Sequence, residues 1–254
     1  MKVVVFGGTG QVGGRVVEVL RARGVDAAAV HRSSGVDAYA GTGLDSACAD
    51  ADVALDCTNI GTTKAKVAVD FFGAVAGNIA TAAQRAGVRR VVCLSIINAA
   101  DPAVNAKFGY YQGKAEQERV YRDMLEAESL TVVRSAQWFE LAEQLLAAAR
   151  LGPVALVPHM LTRPLAAEDA AAVLADAVTA PAASDLDVAG PVELDIVDIA
   201  KTVARSDGSP RSVFGIHVGG RALREGGLLP RGEFVQTETT LESWLARRGE
   251  RVSP

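Results

Sequence analysis

Only three cysteines and three histidines occur in 254 residues. Cys48, Cys57 and Cys93 are too few and too scattered for a disulfide framework or a zinc site. Cys57 and Cys93 lie inside apolar runs and read as core thiols of a cytoplasmic protein. His31, His159 and His217 show no ligand spacing, so no metal is expected. An excess of basic charge is also missing: 26 Lys and Arg face 30 Asp and Glu, for a net charge of −4. That balance removes the electrostatic footprint of a nucleic-acid binder. No run of 18 apolar residues exists to span a membrane. The opening apolar run, Val3–Phe6, meets glycine after four residues, which is too short for a secretion signal. Internal repeats and low-complexity tracts are absent. What remains, 49% hydrophobic and 22% charged residues, is an ordinary globular chain with a real core. The expected partner is a small-molecule substrate, with neither nucleic acid nor membrane, and the chain is a monomer or homodimer.

One stretch organises the rest. Val3-Val4-Val5-Phe6 runs straight into Gly7-Gly8-Thr9-Gly10-Gln11-Val12-Gly13, and an amphipathic segment continues to about Arg23. This is strand, tight glycine turn, helix. The glycines let the backbone approach a pyrophosphate, and the helix N-terminus offers free N–H groups to it. The spacing is GxxGxxG, a variant of the usual fingerprint, and its position directly after a β-rich run is what the motif requires. Gly7, Thr9, Gly10, Gln11, Val12 and Gly13 are the candidate cofactor contacts; the plainer alternative is an ordinary glycine turn.

Strands and helices then alternate. Val25–His31, Asp52–Cys57, Val88–Ile96 and Leu130–Arg134 read as further strands. Leu44–Ala49, Lys64–Arg85 and Tyr110–Glu128 read as helices. The alternation predicts a Rossmann-type, doubly wound parallel sheet covered on both faces. The second half is broken by Pro153, Pro158, Pro164, Pro181, Pro191, Pro210 and Pro230. It carries helical patterns at Gln137–Arg150, Glu168–Thr179 and Leu241–Arg248, and short strands at Pro153–Val157, Val192–Ile196 and Ser212–Val218. The expected division is a NAD(P)-binding domain over 1–150 and a small α+β substrate lobe over 151–254, with some strands of the second half able to return to the main sheet. The lobe is expected over the carboxyl edge of the sheet, where open α/β folds bind ligands.

The end of the second strand selects the nicotinamide cofactor. An acidic residue there binds a ribose 2′-hydroxyl, whereas a basic one accepts a 2′-phosphate. Here the strand ends His31-Arg32-Ser33-Ser34, and no carboxylate follows until Asp37. Arg32 offers a planar fork and Ser33 a hydroxyl, so NADP(H) is favoured over NAD(H). The alternative is that Arg32 is a solvated loop charge. Tyr110 and Lys114 stand four apart on one helical face. A phenol titrates near 10, and a neighbouring ammonium would lower that value towards useful acid–base range. Ser95 ends the preceding strand, where its hydroxyl would orient a substrate carbonyl.

With Gly7–Gly13, Ser95 and Tyr110-x-x-x-Lys114, the chain resembles a short-chain dehydrogenase/reductase. It is similar to the atypical, NmrA-like branch of NAD(P)H-binding proteins. The resemblance extends through Gly35-Val36-Asp37 with Gly41-Thr42-Gly43-Leu44, Gly109-Tyr110 with Lys114 and Gln117-Glu118, Val133–Glu140, Pro164 with Glu168-Asp169, and Glu242-Ser243-Trp244-Leu245. It covers almost the whole chain. It implies Tyr110 as acid–base, Lys114 as the residue holding the cofactor ribose, and Ser95 as the substrate-orienting serine. It also places Thr58 and Asn59 beside the adenine ribose. Two departures stand out: the turn after the third strand lacks an Asn-Ala-Gly triplet, and Ser95 is followed by Ile96-Ile97 instead of a second serine.

Gln137, Trp138 and Phe139 follow the fifth strand and either face a substrate or form an aromatic packing pair. His159 is a further contact candidate in the lobe, and Arg134 reads as a structural ion-pair residue. The charge runs Glu116–Arg122 and Arg247-Arg248 read as solvated helix faces. The expected activity is NADPH-dependent reduction of a small organic electrophile; the alternative is a non-catalytic NADP(H)-binding, redox-sensing regulator.

Overall fold

The computed structural model describes residues 1–182 and 184–252. The chain opens β1 (Lys2–Phe6), α1 (Gln11–Ala22), β2 (Asp26–Val30), α2 (Leu44–Cys48) and β3 (Val53–Asp56). It continues α3 (Ala65–Ala86), β4 (Arg90–Ile96), α4 (Pro102–Asn105), α5 (Gly109–Met124) and β5 (Leu130–Ser135). Then come α6 (Phe139–Ala148), β6 (Arg150–Leu151), β7 (Val154–Pro158), β8 (Leu161–Thr162) and α7 (Ala167–Thr179). The last elements are β9 (Leu186–Ala189), β10 (Leu194–Asp195), α8 (Ile196–Asp207), β11 (Ser212–Ile216), β12 (Val235–Gln236) and α9 (Leu241–Val252). The main sheet has seven strands in the order β12-β9-β5-β4-β3-β1-β2. This is the doubly wound Rossmann-type α/β fold, with the central strands parallel. Among the described residues no helix is long and apolar enough to cross a membrane.

The sequence reading divides the chain at residue 150. In the structure, packing groups Met1–Arg134 with Ala170–Leu186, and Ser135–Asp169 with Asp187–Pro254. In the first unit, Val3, Val4, Val5 and Phe6 of β1 are all buried. A strand buried on both faces needs apolar residues throughout, which explains the unbroken valine run. One face packs against α2, α3 and α5 through Leu44, Val75, Ile79, Ala83 and Tyr121. The parallel register sets Phe6 beside both Val30 and Asp56, and Asp56 beside Cys93. The carboxyl ends of β1 to β4 therefore share one edge. Helix α5 starts hard against the start of α3: a Cβ on Gly109 would lie 2.4 Å from the Ala65 nitrogen and 2.5 Å from the Thr63 oxygen. That close approach fixes where Tyr110 stands.

The second unit has its own three-stranded sheet, β11-β7-β6, and the antiparallel pair β10 and β8. Its core gathers Phe139, Ala142, Leu165, Ile196, Ile199 and Val203. Helix α8 was not expected, because the sequence reading extended a strand from Val192 to Ile196. The strand is only Leu194–Asp195, and the Asp195 carboxylate then accepts the Val197 N–H at 2.9 Å, starting a helix. An N-cap aspartate outweighs the β propensity of the residues around it.

Candidate active site

The glycine turn sits at the end of β1. Gly7 has φ +72°, and a Cβ there would lie 2.6 Å from the Cys57 carbonyl oxygen. Only glycine satisfies both the conformation and the contact. At Gly13 a Cβ would lie 2.3 Å from the Gly7 oxygen, so α1 is seated directly on the turn. Helix α1 begins without a side-chain cap and without an acid in its first turn. Thr9 and Gly10 are exposed, Gln11 is half-buried and Val12 is buried. An uncapped helix end approached by bare backbone is the arrangement that receives a pyrophosphate, and the residues present fit that group.

Past β2, Arg32 and Ser33 are exposed on a short 3-10 turn. Among the described residues the Arg32 guanidinium has no hydrogen-bond or ion-pair partner. The next carboxylate, Asp37, is committed: its Oδ1 accepts the Tyr39 and Ala40 N–H groups, each at 3.0 Å. A free fork and an occupied carboxylate suit a phosphate better than a bare ribose hydroxyl.

At the end of β3, Asp56 is fully buried, while Thr58 is half-buried and Asn59 exposed. The Tyr110 hydroxyl donates to Asn59 Oδ1 at 2.7 Å. Burial raises this phenol above its ordinary value of 10.0. The direction is opposite to the one expected from a neighbouring lysine. The reason is where Lys114 points: its Nζ donates to the Leu94 carbonyl at 2.6 Å and to Gln117 Oε1, and it lies 4.6 Å from the Phe72 ring centre. Tyr110 and Lys114 share a helix, yet each hydrogen-bonds to other groups. Ser95 is 1% exposed, and its hydroxyl donates to the Glu118 carboxylate. Helix α5 delivers Glu118 onto the Ser95 hydroxyl.

Glu118 is also gripped by Arg134 at 2.7 Å, and Arg134 reaches Asp185 at 3.2 Å. Burial works against the Arg134 cation, but the Glu118 and Asp185 carboxylates outweigh it and raise its pKa. The ion-pair reading of Arg134 agrees with this geometry. The reading of Glu116–Arg122 as a solvated face does not: Gln117, Glu118 and Tyr121 are buried.

In the second unit, Gln137 is buried and accepts from the Thr162 hydroxyl. Phe139 is buried against Trp244, with ring centres 5.4 Å apart. Trp138 is half-buried, and its indole N–H donates to Ser135 Oγ at 2.9 Å. His159 Nδ1 sits 2.9 Å from Asp195 Oδ2, and its ring centre is 5.2 Å from that of His217.

No protein-family model and no curated protein sequence matches the chain. Solved structures do match. A dTDP-4-dehydrorhamnose reductase from Clostridium acetobutylicum superimposes with TM-score 0.79 at 15% identity, covering 100% of both chains. An NADPH-dependent quinone oxidoreductase from Escherichia coli, solved with NADPH, gives TM-score 0.73 at 17% identity over 97% of this chain and 99% of its own. A protein solved with UDP-glucose and NAD gives TM-score 0.72 at 14% identity over 100% of both chains. The fold is shared with these proteins, two of which were solved with a nicotinamide cofactor. At such identities the likeness concerns the backbone, and the side chains must be read on their own.

Read that way, sequence reasoning missed Asp56, Gln117 and Glu118 as members of this edge. A signal existed for the first: a carboxylate closing the apolar strand Val53-Ala54-Leu55-Asp56 is costly unless it is given hydrogen-bond donors. Gln117 and Glu118 lie three and four residues past Lys114, on the same helical face.

Proposed function

We propose that the protein is an NADPH-dependent oxidoreductase of the atypical short-chain dehydrogenase/reductase type, reducing a carbonyl, quinone or conjugated double bond. The observation that carries the reading is the Tyr110 hydroxyl on Asn59, at the same sheet edge as the glycine turn and the free Arg32. The nicotinamide cofactors in the similar structures support it. In this reading Gly7 to Gly13 hold the pyrophosphate, Arg32 and Ser33 the 2′-phosphate, Thr58 and Asn59 the adenine ribose, and Lys114 the nicotinamide ribose. The reduced cofactor, when bound, supplies the hydride. Tyr110 supplies the proton. The phenol is protonated at neutral pH, as a proton donor in reduction must be, and burial keeps it so. Ser95 acts through Glu118, holding α5 and therefore Tyr110 in place.

The test is NADPH oxidation with a panel of quinones, aldehydes and enones. Tyr110→Phe should lower kcat by about 100-fold with cofactor affinity retained. The wild-type rate should show no alkaline loss from this group below about pH 10, because the raised phenol has not yet ionised. Arg32→Ala should weaken NADPH by about tenfold, the size of one charged hydrogen bond, and leave NADH unchanged. A tenfold natural preference for NADH would defeat the Arg32 assignment. The second reading, a non-catalytic NADP(H)-binding regulator, draws on the separate partners of Tyr110 and Lys114. Tight NADPH binding with no turnover, indifferent to Tyr110→Phe, would decide for it.

A further inference from the structure

The buried side chains behind the edge form a directed chain. Asp56 is 0% exposed, and its carboxylate accepts four hydrogen bonds. Oδ1 takes the Thr58 N–H at 2.8 Å and the Thr58 hydroxyl at 2.6 Å. Oδ2 takes Gln117 Nε2 at 2.6 Å and the Tyr121 hydroxyl at 2.8 Å. A carboxylate only accepts, so Gln117 must turn its amide nitrogen to Asp56 and its oxygen to Lys114. With Gln117 oriented, Lys114 has two acceptors, Gln117 Oε1 and the Leu94 carbonyl. These two acceptors fix the direction of the ammonium, with the Phe72 ring centre 4.6 Å from its nitrogen.

We propose that Asp56 is a positioning residue that acts through Gln117 to aim Lys114, and that the same carboxylate fixes the Thr58-Asn59 turn on which Tyr110 rests. One buried anion thereby sets two groups that the proposed reaction uses. Among the described residues no direct salt bridge joins Asp56 to Lys114; the amide between them passes on the orientation and keeps the two charges apart. Replacing Asp56 with asparagine would make the new amide nitrogen seek the Gln117 oxygen. Gln117 would then flip and present its own N–H groups to the ammonium, donor against donor.

The inference rests on the nicotinamide reading only for its affinity arm, so two measurements are paired. The first is the lysine ammonium spectrum by nitrogen-15 NMR without cofactor, with the Lys114 signal assigned by Lys114→Met. A slowly exchanging Lys114 resonance is expected in the wild type, lost in Asp56→Asn and regained in Asp56→Asn/Gln117→Glu. In the double variant the carboxylate introduced at position 117 accepts both from the amide introduced at position 56 and from Lys114, restoring the direction of the chain. The second is the NADPH dissociation constant. It should rise by about tenfold in Asp56→Asn, as for loss of one charged hydrogen bond, and return to within about threefold in the double variant. If Asp56→Asn does not fold, Gln117→Met removes the same acceptor and carries the same two expectations. A folded single variant with unchanged Lys114 signal and unchanged affinity overturns the proposal, as does a double variant that restores neither. Failure of the wild type to bind NADPH would count against the proposed function, while the ammonium spectrum would still decide the role of Asp56.

Discussion

Helix α5 has two charged faces that look alike as text and behave as opposites. Outward, Arg119 pairs with Glu116 at 2.7 Å and with Asp123, and its side chain is 57% exposed. Inward, Lys114, Gln117, Glu118 and Tyr121 are buried and tied to β3, β4 and β5. Water screens the outer pairs and would solvate either partner alone, so they contribute little. The inner groups have given up water, so each depends on its partners, and removing one leaves another buried and unpaired. Charge density along a helix therefore says nothing of its worth until the packing side is known.

The comparison can be broken by substitution. Glu118→Ala removes the acceptor of the Ser95 hydroxyl and the carboxylate that Arg134 holds at 2.7 Å. A loss of about 3–5 kcal/mol is expected in urea unfolding, the range for breaking a buried ion pair. Tyr121→Phe removes one of four donors to Asp56, and about 1–2 kcal/mol should be lost on the same assay. Asp185 gives a smaller, pH-dependent effect. Burial opposes its charge, yet the Arg122 side chain and the Val132 N–H hold its pKa below the usual 3.8. A depressed carboxylate contributes stability above its unfolded value and loses it as pH falls through the folded one. Asp185→Asn should therefore flatten the acid limb of a stability profile below about pH 4. The smallest effect is expected from Arg119→Ala, with no measurable movement of the urea midpoint. A shift there as large as that of Tyr121→Phe would erase the distinction between the faces.

Much of the first unit was legible because β1, β3, β4 and β5 are buried along nearly their whole length and so read as largely apolar runs. The glycine turn was legible because backbone approach excludes side chains at Gly7 and Gly13. The long helix predicted over Lys64–Arg85 is α3, Ala65–Ala86. Helix α8 went unread although Asp195 caps it, Gly208 ends it in a left-handed conformation, and Ile196, Ile199 and Val203 lie at helical spacing. Pro191 and Pro210 flank the stretch and give it the look of a broken, loop-rich segment. The orientation of Lys114 was not legible at all. Its distance in sequence from Tyr110 is helical arithmetic, whereas its acceptors, Leu94 and Gln117, depend on which strand the helix covers. For the same reason the hydrogen bond of Ser95 was not legible: strand order placed the serine at the sheet edge, and only α5 could show that Glu118 accepts from its hydroxyl.

The contact between the first residues of α5 and α3 has a consequence in time as well as in space. Where Gly109 meets Thr63 and Ala65 there is no gap for sliding, so the two helix starts must open together or not at all. Amide hydrogens around Ala68 and Gly113 should then exchange with solvent at one common, slow rate set by a shared opening, while the exposed Thr9 amide exchanges freely. Tyr110, the residue after Gly109, would move only when that shared opening occurs.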